Sequence, residues 1–159
     1  MTSDATSLDV FLEFLARHQL GDSMVHHEVI PAVPATESTA EGLEPNVTRI
    51  VAAAGHDALY SHQEEGIHSI LSGRHTVIST PTASGKSLVY NAAILSRFLD
   101  DPLGCAIYIF PLKALEQDQL DELRTLLANL SCGLTAEIYD GDTKPHVREK
   151  IRKQLPNIL

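Results

Sequence analysis

Cysteine is nearly absent from this chain. Of 159 residues only Cys105 and Cys132 carry thiols, too few for a disulfide framework or a cysteine-built zinc cluster. Both stand in apolar surroundings, Cys105 at the head of CAIYIF and Cys132 before GLTAEIY, and both are expected to be buried free thiols. Long hydrophobic runs are missing as well, so no segment is expected to span a bilayer and no membrane partner is expected. The opening MTSDATSLDV has neither the basic start nor the apolar centre of a signal peptide. An intracellular protein is expected, nuclear in a eukaryote and cytoplasmic in a bacterium. His26, His27, His56, His62, His68 and His75 form no tight i, i+4 pair and have no cysteine near them in sequence, so no zinc is expected. His62 beside Gln63 reads as a packing or hydrogen-bonding residue.

Basic residues are scarce in the first part only. The net charge is −9, and residues 1–72 hold eleven acids against Arg17 and Arg49, whereas residues 73–159 hold ten of each sign. The acidity is therefore no bar to a polyanionic partner in the second part. That part ends in KPHVREKIRK, where Lys144, Arg148, Lys150, Arg152 and Lys153 meet a single acid, Glu149. Such a cluster serves either as a solvated helix face or as a phosphate-contacting one.

What is present is enough apolar residue, 43% of the chain, to bury a core in one domain. Leu8, Phe11, Leu12 and Leu15 recur at i, i+3, i+4, i+7 and predict a short amphipathic helix, with Ser7 as its cap and Gly21 shortly after its end. Residues 31–45, PAVPATESTAEGLEP, hold little to bury and read as a linker or extended arm. A helix over 46–54 closing at Gly55 follows. The next, SHQEEGIHSILSG, carries Ser61 and Glu64 as a capping box. From His75 onward strands and helices alternate: strands HTVIST, CAIYIF and LTAEIY, helices SLVYNAAILSRFL, LEQDQLDELRTLLANL and the basic segment. That order predicts βαβ units, an α/β fold with a parallel sheet and flanking helices, preceded by a short helical N-terminal arm. CAIYIF, apolar on both faces, suits a central strand, and LTAEIY lies nearer an edge.

The turn from the first strand into its helix reads TPTASGKS, residues 80–87. This is where a phosphate loop belongs, because amides at a helix N-terminus lack intrahelical acceptors and the helix dipole adds positive potential. Gly85 allows close backbone approach, Lys86 supplies a point charge toward β and γ phosphates, and Ser87 offers a hydroxyl to Mg²⁺. Thr80 stands where the general pattern has its first glycine, and Thr80-Pro81 supplies the entry turn in another way.

The ordered set LYSHQ (59–63), TPTASGKS (80–87), FPLKALEQDQ (110–119) and YDGDT (139–143) resembles the first motor domain of a superfamily 2 helicase of the DEAD/DEAH-box kind, in which the loop is spelled with alanine or threonine at its start. PTASGKSLVYN, IFPLKALEQDQ and YDGDT followed by R-x-x-I-R are most similar to the RecQ-like DNA-repair branch, which includes bacterial mitomycin-repair helicases and their fungal relatives. The resemblance implies a partial RecA-like P-loop domain over 43–159, after a helix and acidic linker over 1–42. It implies ATP and Mg²⁺ as cofactors, held by Tyr60, Gln63, Thr80, Pro81, Thr82, Ala83, Ser84, Gly85, Lys86 and Ser87. Lys86 is the catalytic cation of that set, and Gln63 reads the adenine edge. It implies single-stranded or partly duplex DNA, with RNA as an alternative, contacted by Pro111, Lys113, Gly141, Asp142 and Thr143.

Hydrolysis in that class also needs an apolar strand ending in Asp-Glu and a second domain bearing arginines. AEIYDGD has no acid directly after Asp140, Asp100-Asp101 follows a helix, and Asp121-Glu122 lies inside one. The chain is expected to be truncated before the Walker B strand, to bind nucleotide weakly if at all and not turn it over, and to show poor solubility or marginal stability at an unpaired sheet edge. Two other readings stay open: a non-catalytic interaction module acting through residues 1–45, and a small P-loop kinase using Arg148 and Arg152. The oligomeric state is not legible.

Overall fold

In the computed structural model, residues 7–18, 26, 28, 36–38 and 42–159 are described. The chain divides into two compact units, Met1–Pro34 and Ala35–Leu159. The first contains helix α1 (Ser7–Arg17), which carries Arg17 within 3.1 Å of Glu13 one turn earlier. None of its described side chains is buried, so the apolar stripe read from the sequence forms no core among them. Gly21, the side chain of Leu8 and most of the expected linker lie outside the described residues.

The second unit is organised by α4 (Lys86–Asp100), which packs against both α2 (Pro45–Ala53) and α3 (Ser61–Leu71). Small and branched apolar residues on nearly every side make α4 an interior helix: Val89, Ala92, Ala93 and Leu95 are fully buried. The close crossing with α3 depends on Gly66, because a Cβ there would sit 2.7 Å from Val89 Cγ1. Helix α2 begins with Pro45 in its first turn, where no intrahelical donor is lost, and buries Val47, Ile50 and Val51. Helix α5 (Lys113–Leu130) buries Leu120, Leu123, Leu127 and Leu130 along one stripe. It is tied to α2 by Arg49, which donates to the Leu130 carbonyl at 2.7 Å, and by Asn129, which donates to the Ala53 carbonyl at 2.9 Å. Helix α6 (Pro145–Lys153) buries Ile151 and exposes Lys150, Arg152 and Lys153. Among the described residues no helix is long and apolar enough to cross a membrane.

The helices match the sequence reading to within a few residues. The strands do not reach regular sheet: among the described residues the pairing consists of isolated bridges. Two of them are parallel and share one residue, Ile158, which pairs with Ala106 on one side and Ala136 on the other. Residues 157–159 thus run between CAIYIF and LTAEIY, with Tyr108 N–H donating to the Leu159 carbonyl at 2.8 Å and Ile158 N–H to the Thr135 carbonyl at 3.0 Å. A third, antiparallel bridge joins Glu37 to Tyr60, so this part of the expected linker is extended and paired.

Three other expectations are corrected. CAIYIF is covered on one side only: Tyr108 packs on the core, but Ile107 and Ile109 are 70% and 88% exposed, as is Val77 of HTVIST at 94%. Cys105 is exposed rather than buried because it stands ahead of the covered stretch, while Cys132 is half-buried; both are free thiols. The capping contact of α3 is made by Gln63, whose Oε1 accepts from Tyr60 N–H at 2.8 Å. Glu64 instead accepts from the Ser38 hydroxyl.

Candidate functional site

The loop at 80–87 folds around its own lysine. Lys86 Nζ donates to the Pro81 carbonyl at 2.7 Å and the Thr80 carbonyl at 2.9 Å, with the Thr80 and Ser84 hydroxyls at 3.5 and 3.4 Å. Every one of these partners is neutral. Lys113, Arg124 and Lys153, by contrast, each have a carboxylate within 4 Å. An ammonium solvated only by neutral oxygens at a helix N-terminus keeps its full attraction for an anion. Thr80 does more than set the entry turn, since its hydroxyl also lies 2.6 Å from the Ser84 hydroxyl.

Two residues of the loop adopt left-handed backbone, Ala83 at φ 60° and Gly85 at φ 71°. For Ala83 that conformation is costly and is held by the loop around it. For Gly85 it is doubly required, because a Cβ would fall 2.3 Å from Gln63 Nε2. Gln63 is 4% exposed. It spans two elements, accepting from Tyr60 N–H and donating from Nε2 to the Gly85 carbonyl at 3.1 Å. His62 lies 3.0 Å through Nε2 from the Ser84 carbonyl, and its ring stacks on Tyr60 at 5.9 Å between centroids. The hydrogen-bonding role expected of His62 is what the structure shows. Residues 82–87 border a cleft of about 780 Å³, closed on its other side by Tyr90, Phe110, Leu115 and Gln119.

The loop residues fit a nucleotide polyphosphate and its cation by chemistry. The first amides of α4 have no intrahelical acceptor, Gly85 supplies the left-handed backbone that opens the helix, Lys86 has no carboxylate partner among the described residues, and Ser87 stands half-buried in the first turn at the cleft edge. Among the described residues no group of three His, Cys, Asp or Glu side chains converges on a point.

Twenty-three residues, 116–138, separate the PLKAL and YDGDT motifs, yet the fold joins them. Lys113, the first residue of α5, pairs with Asp142 and lies 3.4 Å from Asp140. The hydrogen bond to Asp142 is the main cause that raises the Lys113 pKa, and the hydrogen bond from Thr143 is the main cause that lowers that of Asp140. Thr143 Oγ1 donates to Asp140 Oδ1 at 2.8 Å and accepts from Asp140 N–H at 2.9 Å, while Asp142 N–H donates to Asp140 Oδ1 at 3.0 Å. Gly141 is exposed, with no heavy atom within 4 Å of where its Cβ would be. Pro111 is exposed in the turn leading to Lys113. The structure therefore gathers Lys113, Gly141, Asp142 and Thr143 at one place, and gathers Tyr60 and Gln63 with residues 80–87 at another.

Between the two, sequence reading missed a polar seam. Tyr90 of α4 donates to Gln119 Oε1 of α5 at 2.7 Å, Tyr108 donates to buried Asn91 Oδ1 at 3.0 Å, and the two tyrosine rings meet edge to face at 5.2 Å. Burial raises both phenols' pKa values, with Glu122 adding to the effect on Tyr90 and Tyr90 to that on Tyr108. Arg148, which holds the 139–143 turn through its carbonyls, was also missed in that role. A side chain that meets backbone oxygen leaves no complementary residue type for a sequence pattern to show.

Comparison with known proteins gives the following. The family described as DEAD/DEAH box helicase matches residues 60–159. The uncharacterised ATP-dependent helicase YprA of Bacillus subtilis is 37% identical over 127 residues, covering 80% of this chain and 17% of that protein. The ATP-dependent helicase HRQ1 of Saccharomyces cerevisiae is 42% identical over 100 residues, covering 62% of this chain and 9% of that protein. The crystal structure of the DUF1998 helicase MrfA bound to DNA and AMPPNP superposes with a TM-score of 0.73 at 35% identity, over 81% of this chain and 18% of that one. These matches bear out the resemblance to the RecQ-like DNA-repair branch and the RecA-like helicase fold. The chain spans less than a fifth of the length of each of these relatives.

Proposed function

We infer that this chain, which belongs to the DEAD/DEAH box helicase family, supplies the nucleotide-binding loop and part of the strand-contacting surface of an ATP-dependent DNA helicase. Residues 43–159 form the first part of its ATP-binding domain, with a parallel sheet nucleated on Ile158, and residues 1–42 form an N-terminal arm. The observation that carries this reading is Lys86, whose partners among the described residues are all neutral oxygens at the start of α4. A polyphosphate offers that ammonium charged acceptors in place of the Thr80 and Pro81 carbonyls, so the lysine need only turn outward to bind it.

In this function residues 80–87 cradle ATP, Ser87 supplies a hydroxyl to Mg²⁺, and Gln63, beside Tyr60, reads the adenine edge by exchanging its bonds to Tyr60 N–H and the Gly85 carbonyl for it. ATP, when bound, supplies the γ-phosphoryl group whose hydrolysis drives movement along a strand in the complete machine. The residues in hand bind and orient; no carboxylate contacts Lys86 among the described residues, and hydrolysis is not assigned to them. Lys113, Pro111, Gly141, Asp142 and Thr143 meet the backbone of single-stranded DNA, whose phosphates compete with Asp142 for Lys113. The kinase alternative loses support because Arg148, one of its two arginines, is engaged with backbone carbonyls.

The test is a titration of the purified chain with a fluorescent ATP analogue and Mg²⁺. Lys86→Ala should weaken binding by roughly tenfold or more, the loss of charge-assisted hydrogen bonds. Equal binding by wild type and variant would remove Lys86, and with it the phosphate cradle, from the account.

A further inference from the structure

We propose that Arg148 is a positioning residue for nucleic-acid contact: one guanidinium gathers three carbonyls of the 139–143 turn and so turns the opposite side of the turn toward a phosphodiester strand. This rests on the strand-contacting reading of that turn. Arg148 Nε donates to the Thr143 carbonyl at 2.8 Å, and Nη2 donates to the Asp140 carbonyl at 2.6 Å and the Gly141 carbonyl at 3.0 Å. The guanidinium carbon also lies 5.3 Å from the centre of the Tyr139 ring, so the residue before the turn is held by the same group. Four of the five residues of YDGDT are therefore fixed by one side chain reaching back from α6.

The chemistry explains why an arginine stands there. A tight turn has to aim its carbonyl oxygens somewhere, and oxygens aimed at solvent would repel a polyanion. Arg148 draws three of them to itself and leaves Gly141 facing open space and Lys144, at the start of α6, exposed. Oδ1 of Asp140 is satisfied inside the turn by Thr143 and the Asp142 amide, while Oδ2 lies 3.4 Å from Lys113, which offsets its charge. Lys113 completes the surface from α5. A lysine at 148 would keep the charge but lacks the planar fork that serves separate carbonyls from different nitrogens. Arg148 thus acts through the turn it shapes, while Lys113 acts on the strand directly.

The experiment measures binding of a fluorescein-labelled oligo(dT) to the full chain by anisotropy at several salt concentrations, for wild type, Lys113→Ala, Arg148→Ala and Arg148→Lys. Each phosphate contact contributes about 0.7 to the slope of log affinity against log salt for a single strand. Lys113→Ala should lower the slope by about that amount. Both Arg148 variants should weaken binding by about tenfold with the wild-type slope retained, and lysine should not rescue. Amide exchange provides the second readout: the amides of the 140–144 turn should exchange faster in both Arg148 variants while those of α5 stay protected. Wild-type affinity in Arg148→Lys, a slope lowered by about 0.7 in Arg148→Ala, or unchanged turn exchange would each overturn the positioning role. A wild-type chain that binds no oligo(dT) even at low salt would overturn the strand reading itself, and this role with it.

Discussion

Gln63 Nε2 donates to the carbonyl of Gly85 at 3.1 Å, and the same nitrogen stands where a Cβ on residue 85 would have to go. The amide that fastens α3 to the phosphate loop is thus also what forbids any side chain at the start of α4. Gln63 cannot swing clear without giving up the Tyr60 N–H at its other end.

Gly85→Ala should therefore lose nucleotide affinity and about 1–2 kcal/mol of stability from left-handed backbone alone, with more from the collision. Much of the collision should vanish in a Gln63→Ala background. A double-mutant cycle on urea midpoints measures this coupling; simple additivity of the two losses would show that the close approach carries no energy.

Gly66→Ala tests the crossing of α3 and α4. Its Cβ would meet Val89 Cγ1, a β-branched group with little rotamer freedom and no exposure. Overpacking of this kind costs about 1–3 kcal/mol. Thermal unfolding of Gly66→Ala should show a lower midpoint, and Val89→Ala in the same chain should recover part of it. An unchanged midpoint would mean the two helices separate freely.

The turn at 139–143 should respond to acid and to strong base but not between. The Asp140 pKa is lowered, so its contribution is complete above the ordinary carboxylate value of about 3.9 and fades as pH falls through the lowered value. The Lys113 pKa is raised, so its contribution is complete below about 10.4 and fades as pH rises through the raised value. Amide resonances of Gly141 and Asp142 followed by NMR should hold steady from about pH 5 to 9. A titration midpoint in the turn at or above 3.9 would contradict the direction assigned to Asp140.

Val77→Thr and Ile109→Thr should reduce self-association without loss of stability. Both side chains are nearly fully exposed on extended segments, so removing them costs no core and falls within about 0.5 kcal/mol. Sedimentation at fixed concentration should show less aggregate in the double variant. The same aggregate fraction as wild type would place the adhesive surface elsewhere.

The sequence made the helices and the loop readable because their signals are periodic or local. Leu120, Leu123, Leu127 and Leu130 recur at helical spacing, and Gly85-Lys86-Ser87 sits between an apolar run and an amphipathic one. The joining of Lys113 to Asp142 was legible only as two separate motifs, since nothing in either names the other. Cys105 misled because an apolar context predicts burial only where something covers it, and Ile107 and Ile109 show that nothing does on that side. Glu64 misled for a subtler reason. A capping glutamate and a capping glutamine are equivalent on paper, and the choice fell to Gln63 because Tyr60, not Ser61, is the N-cap, which puts Gln63 at the third helical position.

The shared pairing of Ile158 also bears on the order in which the molecule assembles. Gly66 of α3 meets Val89 of α4 only 23 residues on, whereas Arg49 meets Leu130 across 81 residues and Asn157 meets Gly104 across 53. Contacts between distant residues wait on the entropy of closing long loops. The α3–α4 pair should gain protection first in a refolding experiment, and the α2–α5 contact and the pairing of Ala106 with Ile158 should form later.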